Sequence, residues 1–254
     1  DIVALTTDQV AALKNTQLKA LTTDQIVALE TADIAALTTK TQLKSLTTLQ
    51  VPALTTAQIV ALTTAQIASM QGTQIAALTT AQVVALETAD VVALTKTQIK
   101  KMSTAQIQAL TTAQVGAMET ADIASLSTAQ FVALDGADLG VLSTSQMAAL
   151  SKNQLKALST AQVAALGTAF VSNLTTAQIS GLTTAQVRAL TTGQIVALTT
   201  TQIVKLTTAQ VANLTTAQIA AMETADVVAL TPAQAAKLTT AQIQALTTAQ
   251  VSAL

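Results

Sequence analysis

Few side chains in this sequence can hold a charge or exchange a proton at close quarters, and the sharpest arrangement of them is a pair of carboxylates three residues apart. Glu30/Asp33, Glu87/Asp90, Glu119/Asp122, Asp135/Asp138 and Glu223/Asp226 all show it. Residues three apart share one face of a helix, so like charges there repel, and an oxygen-ligated cation such as Ca²⁺ would relieve them. These ten residues are the calcium candidates. Four of the five pairs are the same string, Glu-Thr-Ala-Asp, which duplication of one short segment explains without a metal, and acids near a helix start are favourable in themselves. The reading adopted is duplication, with no resident metal or other cofactor; calcium stands as the alternative.

The residue types that are missing exclude more than those present suggest. Without His, Cys, Tyr or Trp, the common nucleophile and base pairs, thiolate or imidazole zinc sites and base-stacking platforms cannot be assembled. No glycine-rich phosphate loop occurs either, so the chain is expected not to be an enzyme. Twelve basic and thirteen acidic residues leave a net charge of −1, which gives no basic field for nucleic acid or anionic lipid. Apolar runs are short, as in Val91-Val92-Ala93-Leu94, whereas a membrane helix needs roughly 20 apolar residues. No membrane insertion is expected. The lack of cysteine fits both a reducing cytoplasm and a secreted protein that avoids misoxidation.

What must position these residues is a repeat of eight. Leu or Met stands at 5, 13, 21, 29 and 37, then at 46, 54 and every eighth position to 254, with one nine-residue step between Leu37 and Leu46. With that residue as position zero, the consensus is Leu-Thr-Thr-Ala-Gln-(Ile/Val)-x-Ala. Gln or Asp stands at plus four almost throughout, and Phe170 is the exception. An unbroken helix turns about 100° per residue, so the Leu row would drift around it by about 80° per octad. A simple strand fails as well, because positions zero and plus five are an odd number apart and point to opposite faces. Something must interrupt the chain in each octad.

A capping box supplies the interruption: Ser or Thr at the N-cap, Gln three residues on, and an apolar pair packing across the cap. In octad 62–69, Thr63 is the expected cap, Gln66 reaches back to its amide, and Leu62 packs on Ile67. Pro232, directly after Thr231, stands at the first helical position that proline prefers. The seven glycines fall at several repeat positions, so the joint between octads requires no left-handed residue. The expectation is an all-α solenoid spanning residues 1–254, with one very short capped helix per octad and positions zero and plus five facing inward. Helices this short are unstable alone, so stacking must hold them. Pro52 at plus six conflicts with a regular helix and lies beside the nine-residue step, so the octads from 37 to 54 are expected to be irregular. A β-solenoid is the alternative, because Thr, Val and Ile favour strands.

Lysines follow the acids at short range: Lys40 and Lys44 after Asp33, Lys96, Lys100 and Lys101 after Asp90, and Lys237 after Asp226. Ion pairs between neighbouring octads are the natural reading, at about 0–1 kcal/mol each when exposed. Thr-Thr pairs such as Thr175/Thr176 and Thr215/Thr216 would form rows of hydroxyls. Capping accounts for the first Thr of each pair, while a flat face recognising glycan, ice or protein is the alternative.

The strings LTTAQIVAL and LTTAQVVAL resemble octapeptide tandem-repeat regions in large bacterial secreted or surface proteins of the adhesin or haemagglutinin type, and the likeness runs over the whole chain. The resemblance implies an extracellular or cell-surface stalk, scaffold or filament-forming segment. Thr231-Pro232-Ala233-Gln234 also resembles the helix start of TAL effector repeats, but their longer repeat and basic charge are missing, so DNA binding is set aside. Leu254 ends the chain on a repeat boundary and the first octad looks like an interior one. A segment of a longer array, self-associating or meeting neighbouring repeats, is therefore expected.

Overall fold

The computed structural model describes residues 2–253; the terminal positions Asp1 and Leu254 lie outside them. Among the described residues the chain forms thirty α-helices of four to six residues, two 3-10 turns and no strand. The helical expectation holds and the β-solenoid falls away.

Each helix starts and stops for a local reason. Thr63 has extended backbone (φ −74°, ψ 153°), and its hydroxyl accepts the Gln66 N–H at 3.3 Å while its own N–H donates to Gln66 Oε1 at 2.7 Å. That exchange satisfies two of the amides that a helix start leaves free. The helix Thr64–Ser69 then ends at Met70 (φ −59°, ψ 148°), and Gln71 (φ −71°, ψ 149°) caps the next helix. Two successive extended residues thus turn the chain. No described residue has a positive φ, as the scattered glycines imply. Pro232 opens the helix Pro232–Ala235 behind its cap Thr231.

The expected irregularity is present and has a clear cause. Gln42 donates its N–H to the Thr38 hydroxyl at 3.4 Å across four residues instead of three, so the extra residue of the nine-residue step is looped out between them. The helix behind it, Gln42–Ser45, is one turn long. Pro52 stands inside the 3-10 turn Val51–Ala53, yet Gln50 still closes its capping box on Thr47 at 2.9 and 3.2 Å. The proline removes the α-helix and leaves the cap.

The chain divides into two compact units, Asp1–Leu134 and Asp135–Leu254. Within the first, Ile59, Ile67, Ile75 and Ile107 at plus five are fully buried, as are Leu62 and Leu78 at position zero within a few per cent. Within the second, Ile179, Val187 and Ile203 are buried with Leu182 and Leu206. Val60, Val84 and Val196 at plus six face outward. Most interior octads therefore contribute a Leu or Met and an Ile or Val to a thin core, and full burial of each is worth about 1.5–3 kcal/mol. Helices three octads apart pack together in each unit. Thr64–Ser69 lies against Thr88–Ala93, and Thr192–Val196 against Thr216–Ala221. No helix among the described residues is long and apolar enough to cross a membrane.

Candidate functional site

The polar centre of the structure is the glutamine at plus four, which the capping box explains only in part. Gln106 Oε1 accepts the cap N–H of Ser103 at 2.8 Å, and its Nε2 donates to the carbonyls of Ile75 at 2.8 Å and Leu78 at 2.7 Å. Gln210 in the second unit repeats this: Oε1 takes the Thr207 N–H at 2.7 Å, and Nε2 reaches Ile179 and Leu182 at 3.0 and 2.7 Å. The carbonyls served stand at a helix end, where intrahelical donors run out: those of Ile75 and Ile179 accept locally only the cap N–H of Leu78 and Leu182, at 3.2 Å each. One buried amide thus starts its own helix and finishes another on the preceding turn of the solenoid.

The spacing of these bonds sets the pitch. They span 28 and 31 residues, between three octads and four, so one turn takes about three and a half octads. Where the nine-residue step falls inside the span, the intervals become 29 and 32, as in Gln58 to Leu29 and Ile26. From Gln74 they return to 28 and 31. The looped-out residue is absorbed without breaking the stack.

Sequence reasoning missed this second role, although a signal was present. A capping box accepts Glu as readily as Gln, yet Glu occurs at plus four in no octad. A carboxylate has no N–H to donate, so the bias points to a need for donors beyond the cap.

The five acidic pairs are split by the fold. Asp33, Asp90, Asp122, Asp138 and Asp226 are buried at the glutamine position, while Glu30, Glu87, Glu119, Asp135 and Glu223 are exposed. Asp33 and Asp90 keep part of the cap, accepting the N–H of Glu30 at 3.0 Å and of Glu87 at 3.2 Å. Asp135 and Asp138 bond each other's amides at 2.9 and 3.4 Å. Asp226 differs: Oδ1 accepts the Thr200 hydroxyl at 2.8 Å, and Oδ2 is buried with no partner.

Burial raises the pKa of Asp90, Asp122 and Asp226 above the ordinary 3.8. Hydrogen bonds from the Glu87 amide and the Thr64 hydroxyl offset part of this at Asp90, and the Thr200 hydroxyl does so at Asp226. At Asp122 the Glu119 charge raises it further, and Lys96 opposes. Lys96, which sequence order sets after Asp90, thus acts on Asp122, 26 residues further along the chain.

Because these three carboxyls titrate higher folded than unfolded, the stability they carry is fully present below pH 3.8 and is lost as pH rises through the folded values. With chelator present, a chain carrying D90N, D122N and D226N should therefore gain in unfolding midpoint over the parent as pH rises from the acid range to neutrality. A difference that does not change with pH would refute the assignment.

In the threonine rows, the first hydroxyl of the pair is engaged. Thr175, the first of its pair, accepts the Gln178 N–H at 3.2 Å, so capping accounts for its hydroxyl. The register slip opens a shallow hollow beside Thr38, Thr39, Lys40 and Thr41, whose lining offers one charge and no acid.

The recurring chemistry of this arrangement is amide to carbonyl, turn upon turn. A family model described as the ALTTAQ repeat matches residues 1–29, 26–64, 59–88, 83–118, 115–152, 149–184, 171–200, 192–222 and 219–254. No curated protein matches the chain.

Proposed function

Since the chain belongs to the ALTTAQ repeat family, we propose that it serves as a non-catalytic structural array, a stalk or scaffold segment whose turns stack on further turns of the same kind. The family and the all-helical repeat support a structural repeat protein. The likeness of its octad to repeats in large bacterial surface proteins supports a place outside the cell or on its surface.

One observation carries the stacking. On the first turn, Gln9, Gln17 and Gln25 make only the cap bond through Oε1, at 2.9, 2.8 and 2.9 Å, and their side chains are exposed. On the last turn, Ile243 and Val251 at plus five are 49 % and 55 % exposed, although this position is buried in the interior octads. One face offers amide donors and the other an apolar layer with helix-end carbonyls, which are the two halves of the contact made between interior turns. Adjoining octads of a longer chain or a second copy would each complete it, and a head-to-tail contact of this kind leaves a free face at each end for a further copy.

Sedimentation of the 254-residue chain over a range of concentrations tests the second-copy case. Association that grows with concentration, and that Q9E/Q17E/Q25E abolishes by replacing donors with charges, is the expected result. A chain that stays monomeric throughout would remove self-association and leave a spacer that stacks only on its own octads.

A further inference from the structure

Two pairs of lysines in the first unit recur at the interval of two solenoid turns. Lys40 and Lys96 are 56 residues apart, as are Lys44 and Lys100, and this is twice the 28-residue span of the bonds between turns. The turn between them shows that they share an edge: Gln71 Nε2 donates to the Lys44 carbonyl at 3.4 Å, and a Cβ on the adjacent Gly72 would lie 3.0 Å from Lys101 Cγ. Lys101 follows Lys100 and extends the patch. All five side chains are exposed. None forms an ion pair among the described residues, although Lys96 acts on Asp122 through space.

A row of the opposite charge has the same interval. Glu30 and Glu87 are 57 residues apart, seven octads plus the one residue inserted at the nine-residue step, and both are exposed. Three residues before each stands an outward valine, Val27 and Val84, each 48 % exposed. These residues belong to the octads just before the lysine octads, so they form a second edge of the same unit. Copying of one 56-residue block does not account for the interval, because Thr63 and Gln71 stand 56 residues before Glu119 and Ser127. The lysines recur while the octads between them vary.

We infer that the lysine edge of one chain docks on the valine and glutamate edge of a second copy lying beside it, with charges meeting at steps of two turns. Screening confines charge attraction to about 8 Å at physiological salt, so the pairs count only where edges touch. Equal intervals let both steps meet at once. A polyanion would need no such match, and a chain of net charge −1 offers it no long-range field. Exposed ion pairs are individually weak, so their part is to fix register, while the lysine stems cover the valines. Each copy keeps its other edge free for a further copy. The inference goes beyond end stacking, because it joins sides.

The test is sedimentation of the 254-residue chain at about 10 mM and about 1 M salt, where the screening length is about 30 and about 3 Å. The parent should associate at low salt and lose that component at high salt. End stacking rests on amides and an apolar layer and persists at high salt, so the two are read separately. K40E/K44E/K100E makes the lysine edge net negative and spares Lys96 and Lys101, which serve Asp122 and Gly72. E30K/E87K makes the other edge positive, and the fold accepts lysine at a cap, as Lys14 shows. Each variant alone should lose the salt-sensitive association, and an equimolar mixture of the two should regain it. A parent without salt-sensitive association, a variant that associates alone as the parent does, or a mixture that stays apart overturns the docking.

Discussion

Replacing Gln106 with methionine is expected to destabilise the first unit by about 3–5 kcal/mol, as measured by denaturant unfolding followed by circular dichroism. The substitution keeps the volume and removes all three bonds. The Ser103 amide loses its partner, and so does the Leu78 carbonyl, which sits in a buried contact; each such orphan costs about 1–3 kcal/mol. The Ile75 carbonyl suffers less, because it also accepts the Leu78 N–H at 3.2 Å. Removing the cap hydroxyl alone, with Ser103→Ala, should cost only about 1 kcal/mol, so the turn-to-turn bonds dominate. Gln9→Met is the control. That residue makes the same cap bond at 2.9 Å but is exposed and has no turn beneath it, so its loss should stay near the cap value. Equal losses at Gln9 and Gln106 would show that the amide acts only as a cap.

The second large effect lies in the apolar layer. Ile107 is fully buried, and Ile107→Ala should cost about 2–5 kcal/mol through lost transfer energy and the cavity left behind. Ile107→Val should cost about 0.5–1.5 kcal/mol, because Val83 and Val115 already fill the same repeat position in the same unit and are fully buried there. Ile243→Ala, at the same repeat position but half exposed on the last turn, should cost under about 1 kcal/mol. Unfolding midpoints of the three variants check the order. If Ile243→Ala proved as damaging as Ile107→Ala, the last turn would be covered in solution, as stacking on another copy requires.

Both effects follow from a division in what the residues encode. The helix starts were legible because a capping box is complete within four residues: Thr63 and Gln66 meet whatever surrounds them, and Pro232 fits only where such a helix begins. The single register slip was legible because a repeat exposes its own insertions, and the looped-out residue between Thr38 and Gln42 is found inside the nine-residue step. The inward faces followed from the same octad, in which Leu62 and Ile67 flank the cap, and both are buried.

The partner of each octad on the preceding turn was not legible, and the reason is geometric. A sequence of period eight looks the same at every multiple of eight, whereas the stack repeats after about three and a half octads, where plus four meets plus five and the next zero. Only the twist accumulated over two extended residues per joint decides that interval. With it come the donors of Gln106, the Lys96 charge acting on Asp122 and the orphaned oxygen of Asp226. The sequence by itself determined the capped helix and its apolar face, because both are set within one octad. The tertiary structure decided which carbonyls each buried side chain must satisfy, because that depends on how far the chain travels before it returns.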